Sequence, residues 1–139
     1  MIILDTNIIS EVMRPLPDQN VIQWLNKQKS DNLYVSSISI AEINYGLYAL
    51  PQGKRKQQLK NRFKQFINKA FCYRILDFDK QAAILYGQIM GEGKLTGHPM
   101  NVLDGQIAAI ALHHGFAVAS RNVKDFNYCG VEIINPFAT

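Results

Sequence analysis

Cysteine is scarce in this chain. It has two among 139 residues, Cys72 and Cys129, far apart and in no CxxC-like spacing. That leaves little support for a disulfide framework or a cysteine-based zinc site, and both thiols read as reduced. Long apolar runs are missing as well. Ile2-Ile3-Leu4 gives only three apolar residues before Asp5, and nothing approaches the roughly 20 residues of a membrane span. No basic region followed by a longer apolar stretch opens the chain, so a secretory leader is not expected and the expected location is the cytoplasm. Internal repeats, low-complexity segments and linker-like stretches are also lacking. With 47% apolar residues, the chain has enough material to bury a sizeable core without staples. The expectation is one domain spanning residues 1–139.

Acidic residues are missing from one stretch. Residues 54–69 hold seven of the fifteen Lys and Arg residues and no Asp or Glu. The rest of the chain has eight basic and eleven acidic residues, so this segment alone turns the net charge to +4. A polyanionic partner is one reading of such a segment. Apolar Leu59, Phe63, Phe66, Ile67 and Ala70 fall on one helical stripe. The basic residues scatter around the remaining arc and form no single ridge, which favours an ordinary solvated helix face.

What is present has an alternating pattern. Short runs rich in Ile, Leu and Val, at 2–4, 33–35, 74–76, 116–119 and 131–134, read as strands. Most do not alternate apolar with polar, as expected of parallel strands buried on both faces. Helical patterns lie between them at 20–28, 40–50, 54–70, 80–92 and 103–114. Ser39 and Asp79 are candidate N-caps, and Pro51 stops the helix that starts near Ile40. Strands alternating with helices predict an α/β sandwich around a parallel sheet.

Polar groups then fall at the ends of strands and the starts of helices. Asp5 directly follows the first strand, where ligands bind in open parallel sheets, yet it reads equally as a helix N-cap. Glu42 lies three residues after Ser39, the spacing of a capping box. Asp104 lies at the start of an Ala-rich helix that looks deeply packed, so it is less easily read as surface decoration. Ser120, Asn122 and Asp125 follow the fourth strand, where a polar loop with a capping Asp is the plain reading. Each group alone is weak evidence. Together along one sheet edge they are hard to explain as caps, because clustered carboxylates repel and raise one another's pKa. A divalent cation relieves that conflict. With no converging His or Cys, oxygen donors point to Mg²⁺ or Mn²⁺.

These segments resemble the PIN-domain nucleases, and within them the VapC/FitB-type toxins of type II toxin–antitoxin pairs. The resemblance covers essentially the whole chain. It rests on Ile3-Leu4-Asp5-Thr6-Asn7-Ile8-Ile9-Ser10-Glu11, on Ser39-Ile40-Ala41-Glu42-Ile43 and on Asp104-Gly105-Gln106-Ile107-Ala108-Ala109. It continues through Ser120-Arg121-Asn122-Val123-Lys124-Asp125-Phe126, Gly130-Val131 and Ile134-Asn135-Pro136. It implies a three-layer α/β/α sandwich with a parallel sheet in the order 3-2-1-4-5. Asp5, Glu42 and Asp104 match the acidic positions that hold Mg²⁺ or Mn²⁺, with Thr6 and Ser120 as accessory polar groups. The implied activity is metal-assisted hydrolysis of RNA, often tRNA or rRNA. The implied partners are a second copy of the chain and a small antitoxin, with operator DNA bound through the antitoxin complex. Some relatives carry a fourth Asp where this chain has Asn122, which offers no charge. Asn122 and Asp125 are therefore both candidates for the fourth catalytic position. Asp5→Ala is expected to abolish cleavage and leave the fold intact.

Other signals carry less. Gly91-Glu92-Gly93-Lys94-Leu95-Thr96-Gly97 lacks the GK[ST] ending and a preceding strand, so it reads as a turn between helices rather than a phosphate loop. His113-His114 before Gly115 suits the end of a helix. Trp24 reads as core or dimer contact, and Tyr45, Leu47 and Tyr48 as core or a groove for a partner helix. The rival function is a non-catalytic nucleic-acid-binding or regulatory PIN-like module acting with an antitoxin. A phosphatase using Asp5 as nucleophile ranks last, since such enzymes want an Asp where Asn7 stands.

Overall fold

In the structure, a computed structural model describing residues 1–138, the centre is a parallel sheet with strand order β3-β2-β1-β4-β5. Among the described residues the strands are β1 (Ile2–Leu4), β2 (Leu33–Ser36), β3 (Ile75–Leu76), β4 (Ala117–Ala119) and β5 (Ile133–Ile134). The helices are α1 (Thr6–Val12), α2 (Gln19–Lys27), α3 (Ser37–Tyr48), α4 (Lys54–Gln65), α5 (Lys80–Leu95) and α6 (Val102–His114). Thr139, the last residue of the expected domain, lies outside the described residues. The expected strand order is the observed one.

Burial on both faces explains why the strands read as unbroken apolar runs. Ile3 and Leu4 are both fully buried but point to opposite sides of the sheet. Leu4 packs with Ile8, Ile9, Val21, Val35, Ile43 and Phe63, beneath α1 to α4. Ile3 packs with Ala82, Ile89, Ile107, Ile110, Val118 and Phe126, beneath α5 and α6. Two cores, one on each face, make the three-layer sandwich.

The observed elements depart from the sequence expectation in three places that matter for function. First, α1 was not expected. Its Thr, Ile and Val residues are modest helix formers, but Asp5 caps it by accepting from Thr6 N at 2.8 Å, and Ile8 and Ile9 are buried. Packing overrides propensity here. Second, α3 starts at Ser37, with Ser36 as the N-cap: Ser36 Oγ accepts from Ser39 N at 3.2 Å. Ser39 is therefore inside the helix, and the capping box with Glu42 does not form. Third, α5 runs through Gly91 and Gly93 to Leu95, so the glycine-rich segment is largely helix. Gly93 is needed there because a Cβ would stand 2.7 Å from the His98 carbonyl oxygen, and His98 N donates to Gly93 O at 2.8 Å.

Other boundaries agree with the sequence. Asp79 caps α5, accepting from Ala82 N at 2.9 Å. Gly115 ends α6 at φ 70°, a left-handed conformation that glycine adopts without cost. The helix expected over 54–70 is present, with its last turn, Phe66–Ala70, wound as a π-helix.

Candidate active site

All five strands run the same way, so their carboxyl ends share one edge. Chain order reverses between β1 and β4, which puts a crevice beyond the end of β1. β1 is paired with β2 on one side and β4 on the other, Ile3 opposite Tyr34 and Leu4 opposite Ala119. The residues that leave these three strands therefore meet.

Asp5 is the centre of that meeting. It is 3% exposed, and Asp5 N donates to Ala119 O at 2.9 Å. Its Oδ1 accepts from Thr6 N, and its Oδ2 accepts from Ser120 Oγ at 2.7 Å and Asn7 Nδ2 at 3.2 Å. It caps α1, as one of the two sequence readings expected, and it also gathers the Ser120 donor from the end of β4. Burial raises its pKa; the Ser120, Thr6 and Asn7 donors oppose that rise, and the charge of Asp125 adds to it.

Glu42 arrives from the second turn of α3. Thr6 Oγ1 donates to Glu42 Oε1 at 2.8 Å and lies 2.9 Å from Ser39 Oγ. The buried Ser39 thus faces the site edge rather than capping a helix. Asp104 arrives from the first turn of α6. Capping there falls to Asn101, whose side chain accepts from Leu103 N at 2.9 Å. Gly105 lets α5 come close, since a Cβ would meet Met90 Sδ at 2.5 Å. Burial, with repulsion from Asp5, Asp125 and Glu42, pushes the Asp104 carboxyl up to about 6.

After β4, the fully buried Ser120 starts the last segment. Ser120 Oγ accepts from Asn122 N at 3.0 Å and from Asn7 Nδ2 at 3.2 Å. Asn122 itself is exposed and forms no side-chain cap. Asp125 is exposed too, but close enough that its charge raises both Asp5 and Asp104. Of the two candidates for a fourth acidic group, Asp125 is the one electrostatically joined to the others.

Two contributors were not singled out from sequence. Asn7 bonds Asp5 and Ser120 through Nδ2, and its Oδ1 accepts from Arg121 N at 3.2 Å. Glu11 is 5% exposed; it accepts from Asp18 N at 2.8 Å and pairs with Arg14 at 3.2 Å. Both sit in the first quoted motif, where a polar residue one helical turn from Asn7 was the available signal. His113, by contrast, is at the far end of α6 from Asp104, roughly 13 Å along the axis, and lies 3.8 Å from Asp79.

The basic segment divides into roles. Lys56 is buried and donates to Tyr48 O at 2.9 Å, while Arg62 donates to Met13 O at 3.1 Å. These fasten α4 to its neighbours. Arg55 is different. With Arg14 it borders a groove of about 360 Å³ that ends on Thr6 and Glu42.

The donor set is all oxygen. Asp5 and Glu42 are held by hydrogen bonds, and nothing but repulsion and burial acts on Asp104. As they stand, no three His, Cys, Asp or Glu side chains converge closely enough to share one ion among the described residues. The chemistry of the set nevertheless fits a hard divalent cation, and Asp104, free of hydrogen bonds, is the arm able to swing toward one.

Fold and site together define an α/β protein with an acidic, oxygen-only centre at the topological switch of a parallel sheet. Its relatives narrow this further. The PIN domain family model matches residues 2–128. The chain is 42% identical over 137 residues to VapC ribonuclease Y4jK of Sinorhizobium fredii, covering 99% of this chain and 98% of that one. It is 40% identical over 137 residues to Toxin FitB of Neisseria gonorrhoeae, covering 99% of both. The crystal structure of FitAcB from Neisseria gonorrhoeae superposes with a TM-score of 0.94 at 40% identity, over 100% of both chains. DNA-bound VapBC from Salmonella typhimurium matches with a TM-score of 0.84 at 27% identity, over 97% of both. The chain belongs to the PIN-domain family, in its VapC/FitB group.

Proposed function

We propose that residues 1–139 act as one metal-dependent ribonuclease domain, the toxin of a toxin–antitoxin pair, which hydrolyses RNA phosphodiester bonds. The observation that carries this reading is the placement of Asp104 at one sheet edge, where burial first, and then the charges of Asp5, Asp125 and Glu42, push its carboxyl up to about 6. A fold does not keep such a cluster for stability; a cation that neutralises it is its use.

Asp5, Glu42 and Asp104 are the residues to hold Mg²⁺ or Mn²⁺. A divalent cation there supplies a Lewis acid for the phosphoryl oxygen and lowers the pKa of water that attacks phosphorus. The chain's own groups do the rest. Ser120, Asn7 and Thr6 N orient Asp5 and oppose the rise that burial imposes on its pKa. Thr6 Oγ1 sets the Glu42 carboxylate. Asp125 adds negative charge at the open side, and Asn122 steadies Ser120 through its backbone N–H. Arg14 and Arg55 line the groove beside Thr6 and Glu42, placed to receive the phosphates of the strand on one flank.

Relatives support the partners. FitAB and VapBC are toxin–antitoxin complexes, and structures of both are recorded bound to DNA. For this chain we assign the same arrangement: a small antitoxin partner, operator DNA bound through that complex, a homodimer, and a cytoplasmic site of action. Among the described residues no helix is long and apolar enough to cross a membrane.

The test is cleavage of total cellular RNA by antitoxin-free protein, with Mg²⁺ and then with chelator. Asp5→Asn is the proper control, since Asp5→Ala would also remove the α1 cap and strand the buried donors of Ser120 and Asn7. Discrete fragments from wild type alone, lost with chelator, support the assignment. Salt-sensitive RNA binding with no cleavage under Mg²⁺ or Mn²⁺ would instead favour the non-catalytic module.

A further inference from the structure

A second cavity, separate from the arginine-lined groove, borders the acidic centre. This cavity, of about 270 Å³, is lined by His98, Met100, Lys124, Asp125 and Tyr128. It shares Asp125 with the carboxylate cluster. His98 and Tyr128 are distant in the chain but in contact in space, ring centroids 3.6 Å apart and planes 9° from parallel. Tyr128 is 67% exposed, and His98 is exposed as well.

This pair is unlike the other aromatic contacts of the protein. Tyr34 with Phe116, Phe66 with Phe71 and Phe78 with Tyr86 are tilted or edge-on pairs within the cores, and the surface contacts His113 with His114 and His114 with Phe116 are tilted as well. His98 and Tyr128 stack in parallel at the surface, where burial gains little. The turn carrying His98 is nonetheless firmly placed. His98 N bonds Gly93 O, the His98 carbonyl lies against Gly93 where no Cβ fits, and Gly97 takes a φ of 77°. Tyr128 follows the short helical turn Val123–Phe126 that carries Lys124 and Asp125.

Resting on the ribonuclease reading above, we propose that His98 and Tyr128 form a stacking platform for one nucleobase of the single-stranded RNA substrate, next to the scissile phosphate, with Lys124 meeting the adjoining phosphate. Every base has a π-face, so an exposed parallel stack is a ready surface for a further ring. A lysine beside it supplies the charge that the backbone needs. The location follows from continuity. Asp125 lines this cavity and its charge acts on both Asp5 and Asp104, while Arg14 and Arg55 line the separate groove that includes Thr6 and Glu42. His98 and Tyr128 are thus positioning residues for substrate, outside the carboxylate machinery.

The test uses full-length protein carrying Asp5→Asn to block cleavage, and fluorescein-labelled single-stranded RNA 12-mers of mixed sequence, read by anisotropy. Tyr128→Ala is expected to weaken binding about tenfold, and Tyr128→Phe to keep it within about twofold, because the ring and not the hydroxyl stacks. Lys124→Ala should lower the slope of log affinity against log salt by about one, which Tyr128→Ala leaves unchanged. RNA bearing 4-thiouridine should crosslink to Tyr128 or His98. RNA affinity untouched by Tyr128→Ala would overturn the proposal. So would a loss confined to antitoxin binding, which would assign the platform to a peptide. RNA binding absent from the parent protein would overturn the ribonuclease reading itself, a result distinct from either.

Discussion

Ser120 Oγ donates to Asp5 Oδ2 at 2.7 Å, joining the end of β4 to the end of β1 across 115 residues of sequence. This bond opposes the burial that pushes the Asp5 pKa up. In Ser120→Ala, burial acts with less resistance, and the carboxyl keeps its proton to higher pH. The acid limb of the cleavage profile should therefore move upward, with a greater loss at pH 6 than at pH 8. The variant also strands the Asn122 N–H, so stability should drop by about 1–3 kcal/mol in urea unfolding. Superposable pH profiles would show that the bond does not tune Asp5.

Asp104 makes a prediction of the opposite sign for stability. Its carboxyl titrates near 6 in the metal-free fold, above the 3.8 of an unperturbed Asp. Between those values the folded protein holds a proton that the unfolded chain has released. Stability is therefore present below about pH 4, is lost as pH rises through about 6, and stays low above it. Asp104→Asn removes this loss. Without metal it should melt higher than wild type at pH 7.5 and show no advantage at pH 4, while its cleavage rate falls about 100-fold or more. Thermal melts in chelator at the two pH values decide the first part.

Much of this arrangement was legible in the sequence, for physical reasons. Ile2-Ile3-Leu4 has no polar alternate, and only a strand covered on both faces tolerates that. Asp79 and Gly115 were readable because capping is local chemistry. What could not be read was set by packing. Asp5 read equally as a ligand position or a helix N-cap, but no helix was expected after it; Ile8 and Ile9, two buried β-branched residues, pack α1 in place. Ser39-Ile40-Ala41-Glu42 has the spacing of a capping box, but Ser36 caps the helix one turn earlier. That shift places Ser39 and Glu42 over Thr6. The glycines at 91 and 93 looked like a turn, although α5 packed on α6 keeps them helical. The carboxylates were read from sequence as candidates; the bonds that hold Asp5 and Glu42, through Asn7 and Thr6, came only from the three-dimensional structure.

Thr6→Val tests the hold on Glu42. The substitution keeps shape and removes the hydroxyl that donates to Glu42 Oε1 at 2.8 Å. Glu42 then loses its orientation but not its charge. Cleavage should fall about 10- to 100-fold, the usual cost of deleting a group that orients a metal ligand. The midpoint of the Mg²⁺ dependence should rise, and excess Mg²⁺ should restore part of the rate. A variant with wild-type rate and midpoint would mean that Glu42 needs no such support.

Asp125→Asn separates charge from coordination. Asp125 is exposed and raises the pKa of both Asp5 and Asp104. Neutralising it lets both ionise at lower pH, so the acid limb should move down, the reverse of Ser120→Ala. If Asp125 also touches the cation, maximal rate should fall as well. A profile shifted down with its plateau intact would limit Asp125 to electrostatics.

Metal removal gives the broadest check. The charges of Asp5, Asp125 and Glu42 act against ionised Asp104, and a cation that binds only the folded state stabilises it by mass action, by about 2.7 kcal/mol at 100 times its dissociation constant. In a domain of this size that corresponds to a melting-temperature rise of roughly 5–10 °C. The rise should be large at pH 7.5 and small at pH 5, because below about 6 Asp104 holds a proton and a protonated carboxyl is a poor ligand. Asp5→Asn should abolish most of it. NaCl at matched ionic strength should give a smaller shift that Asp5→Asn retains, since screening needs no ligand. Equal shifts from Mg²⁺ and NaCl would remove the cation from Asp5, Glu42 and Asp104.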